Sequence, residues 1–341
     1  MNSNILEDNS FTISSSMKID HVHLKVSDLE KSITFYKNIL GFDVIETESD
    51  EKTAFLSPSQ SISNSVNNDI NNVPVLVALT KIECKNVSQV ATRKREAGLY
   101  HFAILLPERK FLAAILRHIQ NNLDRSYYEG LADHGMSEAI YIHDPDFNGI
   151  EIYTDRLPST WQLNKNKDNM VTIPLNVESL LKEYEGITWD GLPANTRIGH
   201  VHLHVSNVER AKVFYHKILG LNLTYALPSA YFFAADNYHH HIAANTWLGT
   251  HISKANSSNN DSQGLDHYAI SLPNQKEMST LKERLKESEI RIDEVVDNSN
   301  NSHSPSFYIY DHDGIKVEVV EDKITDLTCK RDKNYSLASG F

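Results

Sequence analysis

Gly199-His200-Val201-His202-Leu203-His204-Val205 alternates apolar and imidazole side chains. Successive residues of a strand point to opposite faces, so Val201, Leu203 and Val205 are expected in a core, with His200, His202 and His204 on the face opposite. Imidazoles that face a concavity suit a metal site or a proton-transfer site. The pattern also stands earlier, as Ile19-Asp20-His21-Val22-His23-Leu24-Lys25-Val26, offset by 200 − 21 = 179 residues. The chain therefore repeats itself, and the repeat carries histidine.

The repeat continues past the strands. Ser27-Asp28-Leu29-Glu30 and Ser206-Asn207-Val208-Glu209 both read as capping boxes, with Ser at the cap and Glu three residues on. Leu29, Ile33, Tyr36 and Leu40, and Val208, Val213, Tyr215 and Leu219, give each following helix an apolar face. Gly41 and Gly220 are suited to end these helices in the left-handed conformation. Strands are expected next at Phe42–Glu48, Thr53–Ser57 and Val73–Lys81, then at Leu221–Leu227, Ala230–Ala235 and His240–Asn245. Two further segments share the plan with less identity. One runs from Gly98-Leu99-Tyr100-His101 to Ile150-Glu151-Ile152, the other from Gly264-Leu265-Asp266-His267 to Val317-Glu318-Val319.

Four βαβββ modules result, at about 17–82, 98–155, 197–247 and 264–321. A lone module leaves a concave face unfilled, so two pair into a curved half-barrel. The expected fold is α+β: two half-barrel domains with mixed curved sheets and outer helices. Residues 17–155 would form the N-terminal domain and 197–321 the C-terminal one. Residues 156–196 would link them through a short helix at Val177–Tyr184, and residues 1–16 and 322–341 would be tails, the first disordered. The Asn/Ser-rich stretches Ser57–Asn72 and Lys254–Gln263 read as flexible surface loops.

The 341 residues fit two domains, and 40% hydrophobic with 23% charged residues is ordinary globular composition. A net charge of −12 without a basic stripe argues against nucleic acid. Cys84 and Cys329 make neither a disulfide framework nor a zinc knuckle, which favours a reducing compartment. The start lacks the basic and apolar regions of a secretory signal, and no apolar run suits a bilayer. A cytoplasmic protein with no membrane partner is expected, assembling as a homo-oligomer.

Each module opens with a histidine at the same strand position: His21, His101, His200 and His267. One such histidine is an ordinary polar residue on a half-solvated face, but four at one repeated position are a pattern. Modules two and four add Glu151 and Glu318 between apolar neighbours in their last strands. Two histidines and a carboxylate on adjacent strands make a facial triad that leaves non-haem Fe(II) open positions. Module three adds Asn237-Tyr238-His239-His240-His241; by strand parity His240 faces away from His239 and His241, so at least one enters the cavity. A cavity histidine suits proton transfer.

These residues resemble the vicinal oxygen chelate superfamily of glyoxalases, antibiotic-resistance proteins and dioxygenases, and within it the catechol 2,3-dioxygenase-like group, over about residues 17–321. The run from His134 through Tyr141, Asp144 and Pro145 to Glu151 is similar to the extradiol signature, with Phe147 in place of the usual Gly or Pro. A weaker version stands at His303, Tyr308 and Glu318. The resemblance implies Fe(II), with Mn(II) as the alternative, held by strand-opening histidines and the terminal Glu. It implies His240 as the acid/base, and His134 and Tyr141 as groups contacting the substrate hydroxyl and oxygen.

Three ligand sets follow. Module two with module three offers His101, His200 and Glu151, beside His240, His134 and Tyr141; this set is preferred for its motifs. The second domain alone offers His200, His267 and Glu318 with His240, and the first alone His21, His101 and Glu151. The implied reaction is extradiol cleavage of a small aromatic diol by O2 in aromatic catabolism. A glyoxalase-like isomerase or lyase, which wants a fourth protein ligand, and a non-catalytic binding or resistance protein are the alternatives.

Overall fold

The computed structural model describes residues 11–47, 52–64, 73–82, 96–161, 171–184, 186–255, 262–295 and 306–322. Module one runs β1 (Lys18–Val26), α1 (Leu29–Phe35), β2 (Phe42–Thr47), β3 (Thr53–Pro58), a short α2 (Ser59–Ser63) and β4 (Val77–Lys81). Module two runs β5 (Gly98–Leu105), α3 (Arg109–Asn122), β6 (Tyr128–Asp133), β7 (Ser137–His143) and β8 (Gly149–Asp155). After the connecting α4 (Val177–Lys182), module three runs β9 (Arg197–His204), α5 (Val208–Lys212), β10 (Asn222–Leu227), β11 (Ala230–Ala234) and β12 (Ile242–Asn245). Module four runs β13 (Gly264–Leu272), α6 (Gln275–Glu287), β14 (Ile292–Glu294), β15 (Phe307–Tyr310) and β16 (Lys316–Glu321).

The strands form two open eight-stranded mixed sheets, which is the expected α+β architecture of paired modules. The partners differ from the expected domains. One sheet has the order β14-β15-β16-β13-β1-β4-β3-β2 and joins module four to module one. The other, β10-β11-β12-β9-β5-β8-β7-β6, joins module three to module two. Residues 17–155 and 197–321 are therefore not separate sheet domains. The opening strands make the joins, β1 antiparallel to β13 and β5 antiparallel to β9.

Modules adjacent in sequence are tied by their loops instead. Ser27 donates its N–H and hydroxyl to Asp146, at 2.9 and 2.6 Å, and Tyr36 donates to Asp144 at 3.2 Å. Ser206 does the same to Asp313, at 2.8 and 2.6 Å, and Tyr215 donates to Asp311 at 2.9 Å. The serines read as helix caps are thus used between modules. The caps are their neighbours: Asp28 accepts from the Lys31 N–H and Asn207 from the Arg210 N–H. Each helix then passes into a π-helical turn, Tyr36–Leu40 or Val213–Ile218, that carries the clamping tyrosine.

The first helix ends at Gly41 with φ 81°, where a Cβ would come within 2.7 Å of Gly191 Cα. Only glycine allows this left-handed turn and this backbone approach. The helix faces and the apolar faces of both sheets form one continuous core, including Val22, Leu24, Phe102, Ile104, Val201, Leu203 and Ile270. Full burial of each such large apolar side chain contributes about 1.5–3 kcal/mol. The opposite, concave sheet faces are left for the polar side chains.

Several local expectations change. Residues 11–16 are not a disordered tail: Ile13 is buried and its N–H donates to Gly220 O at 3.2 Å. The connector helix stops at Lys182, and Ile173, ahead of it in the chain, bridges to Asp133. His239, His240 and His241 precede β12 instead of lying in it, so parity does not govern them. Phe147 adopts φ 62° and stacks on His143 at 4.0 Å, where the equivalent turn of module four has Gly314 at φ 82°. Residues 1–10 and 323–341, Cys84, Cys329 and His303 lie outside the described residues, as does most of each Asn/Ser-rich stretch. Among the described residues, no helix is long and apolar enough to cross a membrane.

Candidate metal centre

The join of β5 to β9 builds the first centre. Ala103 pairs with His200 on one side and with Glu151 of β8 on the other, so these three stand at one level on adjacent strands. Side chains at one level of neighbouring strands share a face. The small Ala103 leaves open the space between a carboxylate and an imidazole, and His101, two residues back, completes the group. His101 Nε2 lies 3.0 Å and His200 Nε2 3.2 Å from the same Glu151 oxygen. The three ligand atoms lie within 4.8 Å of one another and all three residues are buried.

Electrostatics favour the ligand states. Burial pushes the Glu151 carboxyl up, but His200 and His101 outweigh it and hold the group well below the usual carboxylate range. Burial lowers His200 to about 4 against the pull of Glu151. An ionised carboxylate beside neutral imidazole is what a divalent ion binds. The buried Nδ1 of His200 has no hydrogen-bond partner among the described residues. Two histidines and one carboxylate therefore fit a divalent metal of the kind that accepts mixed N/O ligands.

The other residues singled out in the sequence gather here too. The His240 ring stands 4.1 Å from His200 and 5.1 Å from Phe232. Burial first, then the neighbouring histidines, lower its pKa well below the ordinary value. Tyr141 faces Glu151 directly across β7 and β8, and its hydroxyl is 2.8 Å from His134 Nε2. Burial and the Glu151 charge push Tyr141 far above the usual tyrosine range, so it keeps its proton. The wall beyond is aromatic: Tyr100 lies 5.3 Å from both His202 and the half-exposed Trp247.

Sequence reasoning missed the support behind His240. Asp155 accepts from His239 Nε2 at 3.0 Å, and His239 Nδ1 meets His240 Nδ1 at 2.8 Å. Tyr238 also donates to Asp155, at 2.9 Å, and is linked to Tyr153 at 2.7 Å. Asp155 stands four residues after Glu151 on the same face of β8, which was the available signal. Tyr100, Trp247 and Ala103 gave no motif.

The two competing ligand sets do not assemble. His200 lies in one sheet and His267 with Glu318 in the other, and His21 is likewise separated from His101 and Glu151. Cross-pairing instead brings His21, His267 and Glu318 together, a set not foreseen.

Residues 18–152 and 197–319 match the model of the Glyoxalase/Bleomycin resistance protein/Dioxygenase superfamily, and the chain belongs to that family. It is 37% identical over 281 residues to the catechol-2,3-dioxygenase of Bacillus subtilis (strain 168), covering 81% of this chain and 90% of that protein. The fold is similar to that of a putative dioxygenase from Bacillus subtilis, with TM-score 0.58 and 11% identity over 92% of this chain and 87% of that one. It is also similar to a glyoxalase I variant from Zea mays, with TM-score 0.51 and 18% identity over 90% and 92% of the two chains.

Proposed function

We propose that the protein is an extradiol ring-cleaving dioxygenase that uses non-haem Fe(II) and O2 on a catechol-type diol in the cytoplasm. The observation that carries this reading is the His101, His200 and Glu151 group with a neutral, buried His240 ring 4.1 Å from His200. The 37% identity to a catechol-2,3-dioxygenase supports it. A bound Fe(II) supplies open coordination positions for diol and O2, and the electrons that O2 chemistry requires.

The chain's own residues do the rest. The hydrogen-bond chain assigns tautomers, each step following from the last. His239 Nε2–H donates to Asp155, which leaves His239 Nδ1 as an acceptor. His240 Nδ1–H donates to it, so His240 Nε2 carries a free lone pair. That nitrogen accepts the proton of a diol hydroxyl, and His239 and Asp155 stabilise the imidazolium formed. Tyr141, protonated and linked to His134, offers a hydrogen bond to oxygen on the other side of the triad. Phe232, Tyr100 and Trp247 present rings to an aromatic substrate and exclude water from it.

Anaerobic loading with Fe(II), followed by catechol and then air, is expected to give the yellow ring-opened semialdehyde with uptake of O2. Glu151→Gln is expected to remove both signals. Absence of colour and of O2 uptake across a panel of substituted catechols overturns the reading.

A further inference from the structure

We propose that the chain has a second divalent-metal site, built by His21, His267 and Glu318 in the other sheet, independent of the first. His267 Nε2 lies 3.2 Å and His21 Nε2 3.6 Å from one Glu318 oxygen. The layout of the first centre recurs. Glu318 of β16 pairs with Ala269 of β13. Ile19↔Ile270 and Val22↔Tyr268 leave Asp20 and His21 as the bulge opposite Ala269. His267 stands two residues before that alanine, as His101 stands before Ala103. The ring centroids of His21 and His267 are 5.6 Å apart, the same as for His101 and His200.

This site has a support that the first lacks. His21 Nδ1 donates to Asp20 at 2.7 Å and His267 Nδ1 to Asp266 at 2.6 Å. Both rings therefore direct Nε2 at Glu318, the carboxylate–histidine arrangement that orients metal ligands and raises their basicity. Gly199 and Tyr100 occupy the matching positions in the first centre, so neither of its imidazoles gains a carboxylate there. Lys316 holds Asp266 in turn, at 2.5 Å. His23 stands beside this group, its ring 4.9 Å from that of His267, with its Nε2 2.6 Å from Thr80 Oγ1.

The pocket differs where the proposed chemistry needs a proton acceptor. Val77 pairs with Val22 as Ile242 pairs with Val201, which puts Val75 where His240 stands. Tyr308 opposite Glu318 does match Tyr141 opposite Glu151. The second site therefore has no histidine at the position that His240 holds in the first. Two histidines and a carboxylate select Fe(II), Mn(II), Zn(II) or Co(II) over Mg(II) or Ca(II).

Co(II) titration of the full-length apo protein without O2, read by visible absorption and by bound metal after gel filtration, tests this. Two equivalents are expected for the native chain and one each for Glu318→Gln, His21→Ala and Glu151→Gln. Glu151→Gln loaded with Fe(II) is expected to keep its one ion and open no catechol ring. One equivalent in the native chain that survives both Glu318→Gln and His21→Ala overturns the site. Ring opening by Fe(II)-loaded Glu151→Gln overturns its separation from the chemistry. Retention of two equivalents by Glu151→Gln, with one in Glu318→Gln, counts against the first centre alone and leaves this site standing.

Discussion

Gly199 is where fold and site are most tightly coupled, and Gly199→Ala tests the coupling. A Cβ there would stand 1.8 Å from the Tyr153 hydroxyl oxygen, 2.7 Å from its Cζ and 3.1 Å from Leu105 Cβ. From 1.8 Å to the 3.4 Å at which ordinary contact begins, the hydroxyl must move by about 1.6 Å. Tyr153 is fully buried, so that movement breaks its 2.7 Å bond to Tyr238. Overpacking costs about 1–3 kcal/mol and the lost buried hydrogen bond about 1–3 kcal/mol, against about 0.4–1 kcal/mol gained from a stiffer unfolded chain. The expected net loss is about 3 kcal/mol. Tyr153→Phe removes the oxygen that clashes, so Gly199→Ala should cost at least about 1 kcal/mol less in that background. Urea unfolding of the four metal-free proteins measures the cycle. A Gly199→Ala protein as stable as the native one, or costs that add to within about 0.5 kcal/mol, would refute the predicted clash.

Ala103→Val puts two methyl groups on the fully buried floor between Glu151 and His200; metal affinity at the first centre should fall at least about tenfold, measured by Co(II) titration in a Glu318→Gln background. Asp155→Asn removes the charge and turns one of two acceptor oxygens, used by His239 and Tyr238, into an amide donor, so the His239 tautomer is no longer fixed; kcat should drop about tenfold or more while the bound metal count stays, and an unchanged kcat with an unchanged pH profile would deny the relay. Asp311 is raised by burial to about 6, so its protonated form is the one the fold favours. Its contribution is fully present below the unfolded pKa of about 4 and is lost as pH rises through 6, a change of about 3 kcal/mol. Asp311→Asn does not titrate. Its stability relative to the native chain should therefore improve by about that amount between pH 4 and pH 7.5, and a gap independent of pH in urea unfolding would contradict the linkage.

How far the sequence could be read depended on the range of the interaction. Strand alternation placed His200 and Val201 on opposite faces, and the repeated opening histidine marked His21, His101 and His267 as its counterparts; both are local patterns. Strand pairing between modules is not local. Every module begins with a strand of similar character, so His200 had as much reason to meet His267 as His101, and only the register of β5 on β9 selects between them. The loops misled in the same way. Ser27 and Ser206 look like helix caps because a capping box is defined by nearest neighbours. Their real partners, Asp146 and Asp313, lie more than a hundred residues on. His240 was reached through its place in a motif, whereas strand parity, which could not choose among His239, His240 and His241, does not apply before β12. The sequence-adjacent modules thus do belong together, through serine–aspartate and tyrosine–aspartate clamps, while the metal centres belong to the sheets. Cutting a clamp should loosen one half of the chain on the other, whereas cutting the β5–β9 join takes His101 away from His200 and dismantles the site.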